Sequence, residues 1–154
     1  MFDSMRRKDR QISKDEAMDI LSSGSFGVFS TISENGYPSG TPLNYASDSG
    51  AVYVHVAAGS ASRAAAHCAK VCFTVVTRSD VVASEFVTNY ESVMVHGTAE
   101  ELDGQAKFDA LLLLVKKYSQ AFEESGIEHI HEDIDNCLVL KINIEHIAGK
   151  ARKG

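Results

Sequence analysis

Apolar and polar residues are arranged along the chain in short patterns that predict strands. Residues 26–33 combine aromatic and β-branched residues between turn signals, and residues 92–100 and 138–144 place apolar side chains at alternate positions. Residues 71–77 form a nearly continuous apolar run, which is typical of a strand buried on both faces. These segments predict four strands of a sheet.

Two more strands are predicted within residues 36–63, joined by the tight turn Asp48-Ser49-Gly50. The segment that follows the second strand, residues 59–63, reads Gly-Ser-Ala-Ser-Arg. Gly and Ser allow backbone N–H groups to approach an anion, and Arg63 near a helix start would add a fixed, charged fork. The pattern therefore predicts a phosphate cradle directly after a strand pair.

Helical segments are predicted on both sides of these strands. Ser13 and Glu16 form a capping box that opens a short amphipathic helix ending near Gly24. Residues 104–122 place Phe and aliphatic side chains on one helical face, and the alanine-rich residues 61–69 predict a further short helix.

Three remaining segments lack a regular pattern. Residues 1–11 are expected to form an N-terminal arm, residues 78–90 a long loop, and residues 125–136 an acidic, irregular segment. About six strands and three helices without regular βαβ alternation favour an antiparallel barrel with helices outside it. We expect residues 1–154 to form a single domain.

The net charge and the absence of certain sequence signals argue against several classes of function. A net charge of −6 argues against nonspecific binding to nucleic acid or to an anionic membrane surface. No apolar run is long enough to span a bilayer and no signal peptide is visible, so we expect a cytoplasmic location. The basic residues near both ends are interpreted as solvated tails, and three cysteines do not suggest a disulfide framework.

Two groups of residues could bind a metal, but the sequence favours structural roles for both, and no metal site is predicted. His67, Cys68 and Cys72 lack a standard zinc spacing, and free cysteine usually packs as a small apolar residue. The His, Asp and Glu residues of 129–135 are interpreted as a solvated acidic surface. His55 is the better functional candidate, because it directly precedes the predicted cradle.

Several stretches together resemble the flavin-binding split-barrel proteins related to pyridoxamine 5′-phosphate oxidase, and among them the nitroimidazole-resistance (Nim-type) proteins. The stretches follow the family order through nearly the whole chain. They are Met5-Arg6-Arg7-Lys8-Asp9-Arg10-Gln11, Gly36-Tyr37-Pro38, Pro42-Leu43-Asn44-Tyr45, Tyr53-Val54-His55, Val71-Cys72-Phe73-Thr74-Val75-Val76, Thr88-Asn89-Tyr90-Glu91-Ser92-Val93 and Ile144-Glu145-His146-Ile147-Ala148-Gly149-Lys150-Ala151-Arg152. Nim-type proteins commonly carry Gly-Lys in the cradle, where this chain has a Ser-Arg pair at Ser62 and Arg63.

The resemblance implies a mainly β fold, a six-stranded antiparallel split β-barrel of Greek-key type with flanking helices. It also implies a homodimer with FMN bound at the interface. His55 would be the candidate catalytic residue and would also contact the cofactor. The other implied cofactor-binding residues are Pro42, Leu43, Asn44, Tyr45, Ser60, Ser62 and Arg63, with Asn89, Tyr90, Glu91, Ser92 and Lys150 supplied by the other chain.

The function implied is that of an FMN-dependent oxidoreductase that reduces small electron-poor compounds such as nitroimidazoles. The alternative is a non-catalytic module of the same fold that binds or senses flavin or haem, with His55, His96 or His146 as a possible axial ligand. Oxidation of pyridoxamine phosphate itself is less favoured, because the arginine-rich motifs of the true oxidases are not found.

Overall fold

The computed structural model describes residues 1–57 and 70–154. Three α-helices flank one sheet: α1 (Lys14–Ser23), α2 (Gly104–Tyr118) and α3 (Glu123–Asp133). The strands are β1 (Gly27–Ile32), β2 (Pro38–Leu43), β3 (Ala46–Ser47), β4 (Ala51–Ala57), β5 (Lys70–Val82), β6 (Val87–Leu102) and β7 (Cys137–Arg152). Single 3₁₀ turns lie at Lys8–Arg10, Ala83–Glu85, Gln120–Phe122 and Ile134–Asn136.

The seven described strands form one antiparallel sheet in the order β2-β1-β5-β6-β7-β4-β3. The predicted fold, a mainly β antiparallel sheet of the split-barrel type with flanking helices, is confirmed. The predicted strand count of six is wrong, and the described sheet is not closed. The difference arises in residues 36–57, where β2 pairs with β1 and only the two-residue β3 pairs with β4 across the Asp48 turn.

Four other expectations are corrected. Residues 78–90 are not a long loop, because they continue β5 and β6 through the turn at Ala83–Glu85. Residues 125–136 are mostly helical, since α3 buries Ile130 and directs acidic side chains to solvent. β5 is buried on one face only: Val75 is buried, whereas Val76 is 53% exposed. The basic C-terminal residues up to Arg152 belong to β7 and are not a tail.

The start of α1 agrees with the prediction. The Ser13 side chain accepts a hydrogen bond from the Glu16 N–H, and the Glu16 carboxylate accepts one from the Ser13 N–H, so the capping box is present. The helix ends at Gly24 as expected.

The sheet separates two apolar clusters, because alternate residues of each strand point to opposite faces. One cluster lies inside the curved sheet and includes Phe29, Phe73 and Leu140. The other packs α2 and α3 against the outer side of β7 and includes Leu114 and Val139. β7 contributes to both clusters and so connects the interior of the sheet with the helices α2 and α3.

Candidate functional site

His55 lies beside a cavity between the sheet and the helices. The β4 residues on either side of it point into the sheet interior, so His55 points to the face that α2 and α3 cover, where it pairs with Val139 of β7. Its side chain is exposed and, with Asn44, lines a cavity of about 400 Å³. The structure thus brings together two of the predicted cofactor-binding residues.

The surface of this cavity is mainly apolar, although polar and titratable residues stand among the aliphatic ones. The residues from α2 and α3 and the turns that follow them are Leu111, Leu114, Val115, Tyr118, Ser119, His129, Ile130, Asp133, Ile134 and Asn136. His129 Nε2 lies 3.6 Å from Asp133 Oδ2, one helical turn away. Sequence reasoning missed this pair as part of a cavity, because it treated the segment as an irregular acidic surface.

Tyr45, another residue implied as a cofactor contact, follows Asn44 directly. Its side chain is fully buried, and its hydroxyl donates a hydrogen bond to the Leu21 carbonyl oxygen. Its backbone N–H donates to the Tyr118 hydroxyl at 3.0 Å, and that hydroxyl lies 2.6 Å from the Ser25 carbonyl oxygen, to which it donates. Tyr45 is therefore a core residue whose backbone is held by Tyr118, a contact that no local sequence pattern indicates.

The Lys117 side chain packs against the ring of Tyr45. Its Nζ is 3.6 Å from the centre of the Tyr45 ring and 5.3 Å from that of Tyr118, which is the geometry of a cation–π contact. The ammonium is buried and has no hydrogen-bond partner within the described part of the chain. Burial lowers the pKa of Lys117 from its ordinary 10.5 to about 8, because desolvation disfavours the charged form.

The other predicted edge of the site, Pro42 and Leu43, ends strand β2. They pair with Val28 and Gly27 of β1, and the Pro42 side chain is exposed while Leu43 packs against the inner apolar cluster. Asn44 follows directly and is exposed at the cavity.

A second cavity, of about 650 Å³, lies at the far end of β7. Ser92 of β6 pairs with Lys150 of β7, and both line this cavity together with Lys8 and Lys14. Three lysines therefore line one cavity, together with the carboxylate residue Asp3, in a chain whose net charge is −6. This local charge favours an anionic ligand.

The rest of the predicted segment 89–92 is held by neighbouring strands. The Asn89 side chain accepts a hydrogen bond from the Arg152 guanidinium, and Tyr90 pairs with Arg152 across the sheet. The Glu91 carboxylate accepts a hydrogen bond from the Thr77 hydroxyl at 3.1 Å. These contacts fix the segment beside Lys150 without using the Lys150 ammonium.

Two histidines also line the second cavity. His96 and His146 pair across β6 and β7 with ring centres 6.3 Å apart, and Phe2 stacks on His146 at 4.6 Å. His96 Nδ1 is buried without a hydrogen-bond partner among the described residues. From the sequence, both histidines are expected only as alternative axial ligands, since nothing in the sequence indicates that they are adjacent.

The predicted site residues thus form two sets within one chain. His55 is opposite residue 139 of β7, whereas Ser92 is opposite residue 150. Eleven positions of a strand correspond to at most about 36 Å along its path. The two cavities share no lining residue within the described chain, so His55 and Lys150 face different cavities of one chain.

Part of the predicted site lies outside the described residues: the cradle 59–63 with Ser60, Ser62 and Arg63, and the predicted helix 61–69 with His67 and Cys68. Within residues 1–57 and 70–154, no group of three or more His, Cys, Asp or Glu side chains could hold a metal ion. No helix in these same ranges is long and apolar enough to cross a membrane.

Comparisons with known proteins give a family and a fold. The sequence model of a family described as pyridoxamine 5′-phosphate oxidase matches residues 13–151. No curated protein matches the chain. Among solved structures, a candidate 5-nitroimidazole antibiotic resistance protein from Bacteroides thetaiotaomicron is similar, with a TM-score of 0.74 and 18% identity over 91% of this chain and 85% of that one.

Two further solved structures are also similar to this chain. The FAD and haem binding protein from Mycobacterium smegmatis has a TM-score of 0.80 at 20% identity, covering 94% of this chain and 74% of that one. The flavocytochrome Anf3 from Azotobacter vinelandii has a TM-score of 0.73 at 21% identity, covering 98% and 73%. At these identities the likeness supports a shared fold.

Proposed function

We propose that this chain, which belongs to the pyridoxamine 5′-phosphate oxidase family, binds FMN between two copies of itself and uses it to reduce small electron-poor compounds. The observation that carries the proposal is the division of the predicted cofactor-binding residues into two sets at opposite ends of β7. Two copies related by a two-fold axis can bring the His55 set of each chain against the Lys150 set of the other. Such an arrangement gives two equivalent sites.

The chemistry of the two sets suits a flavin phosphate. Ser92 and Lys150 offer a hydroxyl and an ammonium, and the lysines of the same cavity add positive charge for a phosphate. The aliphatic cavity beside His55 offers apolar surface for a planar ring, with the Asn44 amide and the His55 imidazole as polar groups. Arg63 would add a charge-assisted grip on the phosphate, as its position in the sequence predicts.

Bound flavin would supply the redox chemistry, whereas the protein would supply binding, orientation and electrostatics. His55 is exposed on β4 and is the candidate group for contact with the reacting part of a substrate. Tyr118 and Lys117 would act indirectly, because they hold in place the Tyr45 segment, which follows Asn44.

The first test is the visible absorption spectrum of the purified protein, with release and identification of any chromophore. We expect a flavin spectrum, FMN as the released compound, and one FMN per chain. A protein that stays colourless after addition of FMN contradicts the proposal. Steady-state reduction of a nitroimidazole by the loaded protein, with NADH and NADPH as donors, then tests the reaction.

The two-chain site has a sharper test in mixed dimers. Arg63→Ala should weaken FMN binding about 10- to 150-fold, the loss expected for a charge-assisted hydrogen bond worth about 1.5–3 kcal/mol. Lys150→Ala should weaken it in the same direction, and Lys70→Ala, at the start of β5, serves as the control for loss of one exposed positive charge. A mixed dimer of the Arg63 and Lys150 variants should regain one intact site of two.

The mixed dimer distinguishes the two arrangements because of where the substitutions fall. If each site uses both chains, one site carries both substitutions and the other carries none. If each site lies within one chain, every site carries one substitution and affinity is not restored. The second result would refute the interface site while leaving flavin binding intact.

A second candidate function, haem binding, is favoured by one observation. The His96 and His146 rings face one cavity 6.3 Å apart, and one buried ring nitrogen has no partner in the described chain. Imidazole is a common haem ligand. A Soret band on addition of haem that is lost in both His96→Gln and His146→Gln would support this function, and its absence would dismiss it.

A further inference from the structure

The hairpin formed by β5 and β6 extends beyond the rest of the sheet. β1 pairs with β5 only at residues 72–74, and β7 ends opposite Tyr90 at Arg152. Within the described chain, residues 78–82 therefore pair with β6 alone, and residues 87–89 pair with β5 alone. A two-stranded ribbon of this kind is marginally stable by itself.

The ribbon carries apolar side chains that nothing in the described chain covers. Val81 is 74% exposed, and Phe86, which follows the turn Ala83–Glu85 at the tip, is 95% exposed. At this exposure the Phe86 side chain buries almost no apolar surface within the described chain, so it contributes almost nothing to the stability of a single chain. Aromatic residues of this kind are enriched at protein interfaces.

The backbone of Phe86 makes its position more unusual. Its φ is 55° and its ψ is 38°, and it is the one residue other than glycine with a positive φ in the described ranges. A bulky side chain is strained in this left-handed conformation, whereas Gly or Asn adopts it readily. A strained, exposed phenylalanine conflicts with local preference, and such conflicts mark functional positions.

We propose that Phe86 anchors this hairpin on a second copy of the chain, at the cavity that contains Asn44 and His55. The inference rests on the proposed two-chain site, because that site identifies the partner. Asn89 follows Phe86 by three residues, or about 10 Å of strand. When 89–92 of one chain meets His55 of the other, Phe86 is within reach of the aliphatic wall beside His55.

The symmetry of such a dimer doubles the effect of the anchor. In a two-fold interface each hairpin packs on the other chain, so one substitution removes both anchors. Loss of a buried aromatic anchor typically weakens an interface at least tenfold. The dimer dissociation constant should therefore rise about 100-fold when both anchors are lost.

The test is Phe86→Asn, measured by sedimentation equilibrium from nanomolar to micromolar concentration. Asn tolerates the left-handed conformation, so circular dichroism should show an unchanged fold. We expect the dimer dissociation constant to rise about 100-fold, and Phe86→Leu to retain part of the affinity. Tyr37→Asn, at an exposed aromatic beside the β1–β2 turn, is the control and should leave the dimer unchanged.

The outcomes separate this inference from the proposed function. A dimer that forms equally well with Phe86→Asn overturns the anchor, while flavin bound to that dimer still supports the proposed function. A dimer that depends on Phe86 but takes up no FMN supports the anchor and refutes flavin binding. A wild-type chain that is monomeric at micromolar concentration overturns the anchor.

Discussion

Replacing Lys117 by Met should stabilise the protein at neutral pH. The ammonium is buried against the Tyr45 ring and has no hydrogen-bond partner in the described chain. Met keeps an unbranched side chain of similar length but removes the charge, so the packing between α2 and Tyr45 is retained. The substitution therefore isolates the cost of burying the charge.

The size of the effect follows from the two opposing terms. A lowering of the Lys117 pKa from 10.5 to about 8 would correspond to about 3.4 kcal/mol against the charged form. Cation–π attraction offsets about 0.5–2 kcal/mol of this, and the side chain as a whole is only partly buried, which reduces the penalty further. We expect the free energy of unfolding at pH 7 to rise by about 1–2 kcal/mol in the Met variant.

The sign of the pH dependence identifies the cause. Between pH 8 and 10.5 the unfolded chain holds a proton on Lys117 that the folded chain has released, so wild-type stability rises with pH in this window. The advantage of Lys117→Met should therefore be largest below pH 8 and shrink above it. Lys116→Met, at the exposed neighbouring position, is the matched control.

Urea unfolding at pH 6.5, 7.5, 8.5 and 9.5 measures this difference. The range stops there because burial raises the pKa of Tyr45 and Tyr118, and ionisation of tyrosines in the unfolded chain lowers stability at higher pH. A Met variant that is less stable than wild type at pH 7 would show that the cation–π contact outweighs desolvation. A constant advantage at all four pH values would show that titration of Lys117 is not the cause.

Two further substitutions test how the sheet and the site are held. Gly97→Ala should destabilise the fold by at least about 2 kcal/mol, because a β-carbon there would overlap the Asn143 carbonyl oxygen at the β6–β7 bulge. The control is Gly50→Ala, where a β-carbon would meet open space, and it should change stability by under about 0.5 kcal/mol. Tyr118→Phe should cost about 1–2 kcal/mol, since the partly buried Tyr45 N–H loses its acceptor. Thermal and urea unfolding measure these effects, and a neutral Gly97→Ala or Tyr118→Phe would contradict the stated contact.

Local sequence signals correctly predicted those helices and strands whose limits are set by neighbouring residues. The capping box at Ser13 and the one-faced apolar pattern of residues 104–122 correspond to α1 and α2. Strand β1 is within one residue of its predicted limits at both ends. In each case the residues that decide the structure lie within one or two turns of each other in the sequence.

The errors arise where pairing between distant segments decides the structure. Residues 78–90 carry charged and polar side chains and are strands because two segments of the chain pair with each other. The acidic helix α3 is stabilised by a few apolar contacts with α2, such as Gly126 against Val115, which the local composition does not indicate. β5 was expected to be buried on both faces, but no described element covers its outer face at Val76.

The contacts within the candidate site could not be predicted from local patterns. The resemblance assigns His55 and Lys150 to different chains, and only the strand register shows that within one chain they lie at opposite ends of β7. The contacts of Lys117 and Tyr118 with Tyr45 join segments more than 70 positions apart. No periodic pattern carries information over that separation.

A site shared by two chains makes flavin binding and dimer formation mutually dependent. A ligand that binds only the dimer must stabilise the dimer, and the strength of this coupling is the same in both directions. With two sites per dimer, FMN at 100 times its dissociation constant should lower the dimer dissociation constant about 10⁴-fold, since each site contributes a factor of about 100. Sedimentation with and without FMN measures this ratio, and riboflavin, which lacks the phosphate, should have a weaker effect. If saturating FMN leaves the dimer dissociation constant unchanged, the two sets of residues at the ends of β7 do not form one site, and the cofactor is held within a single chain.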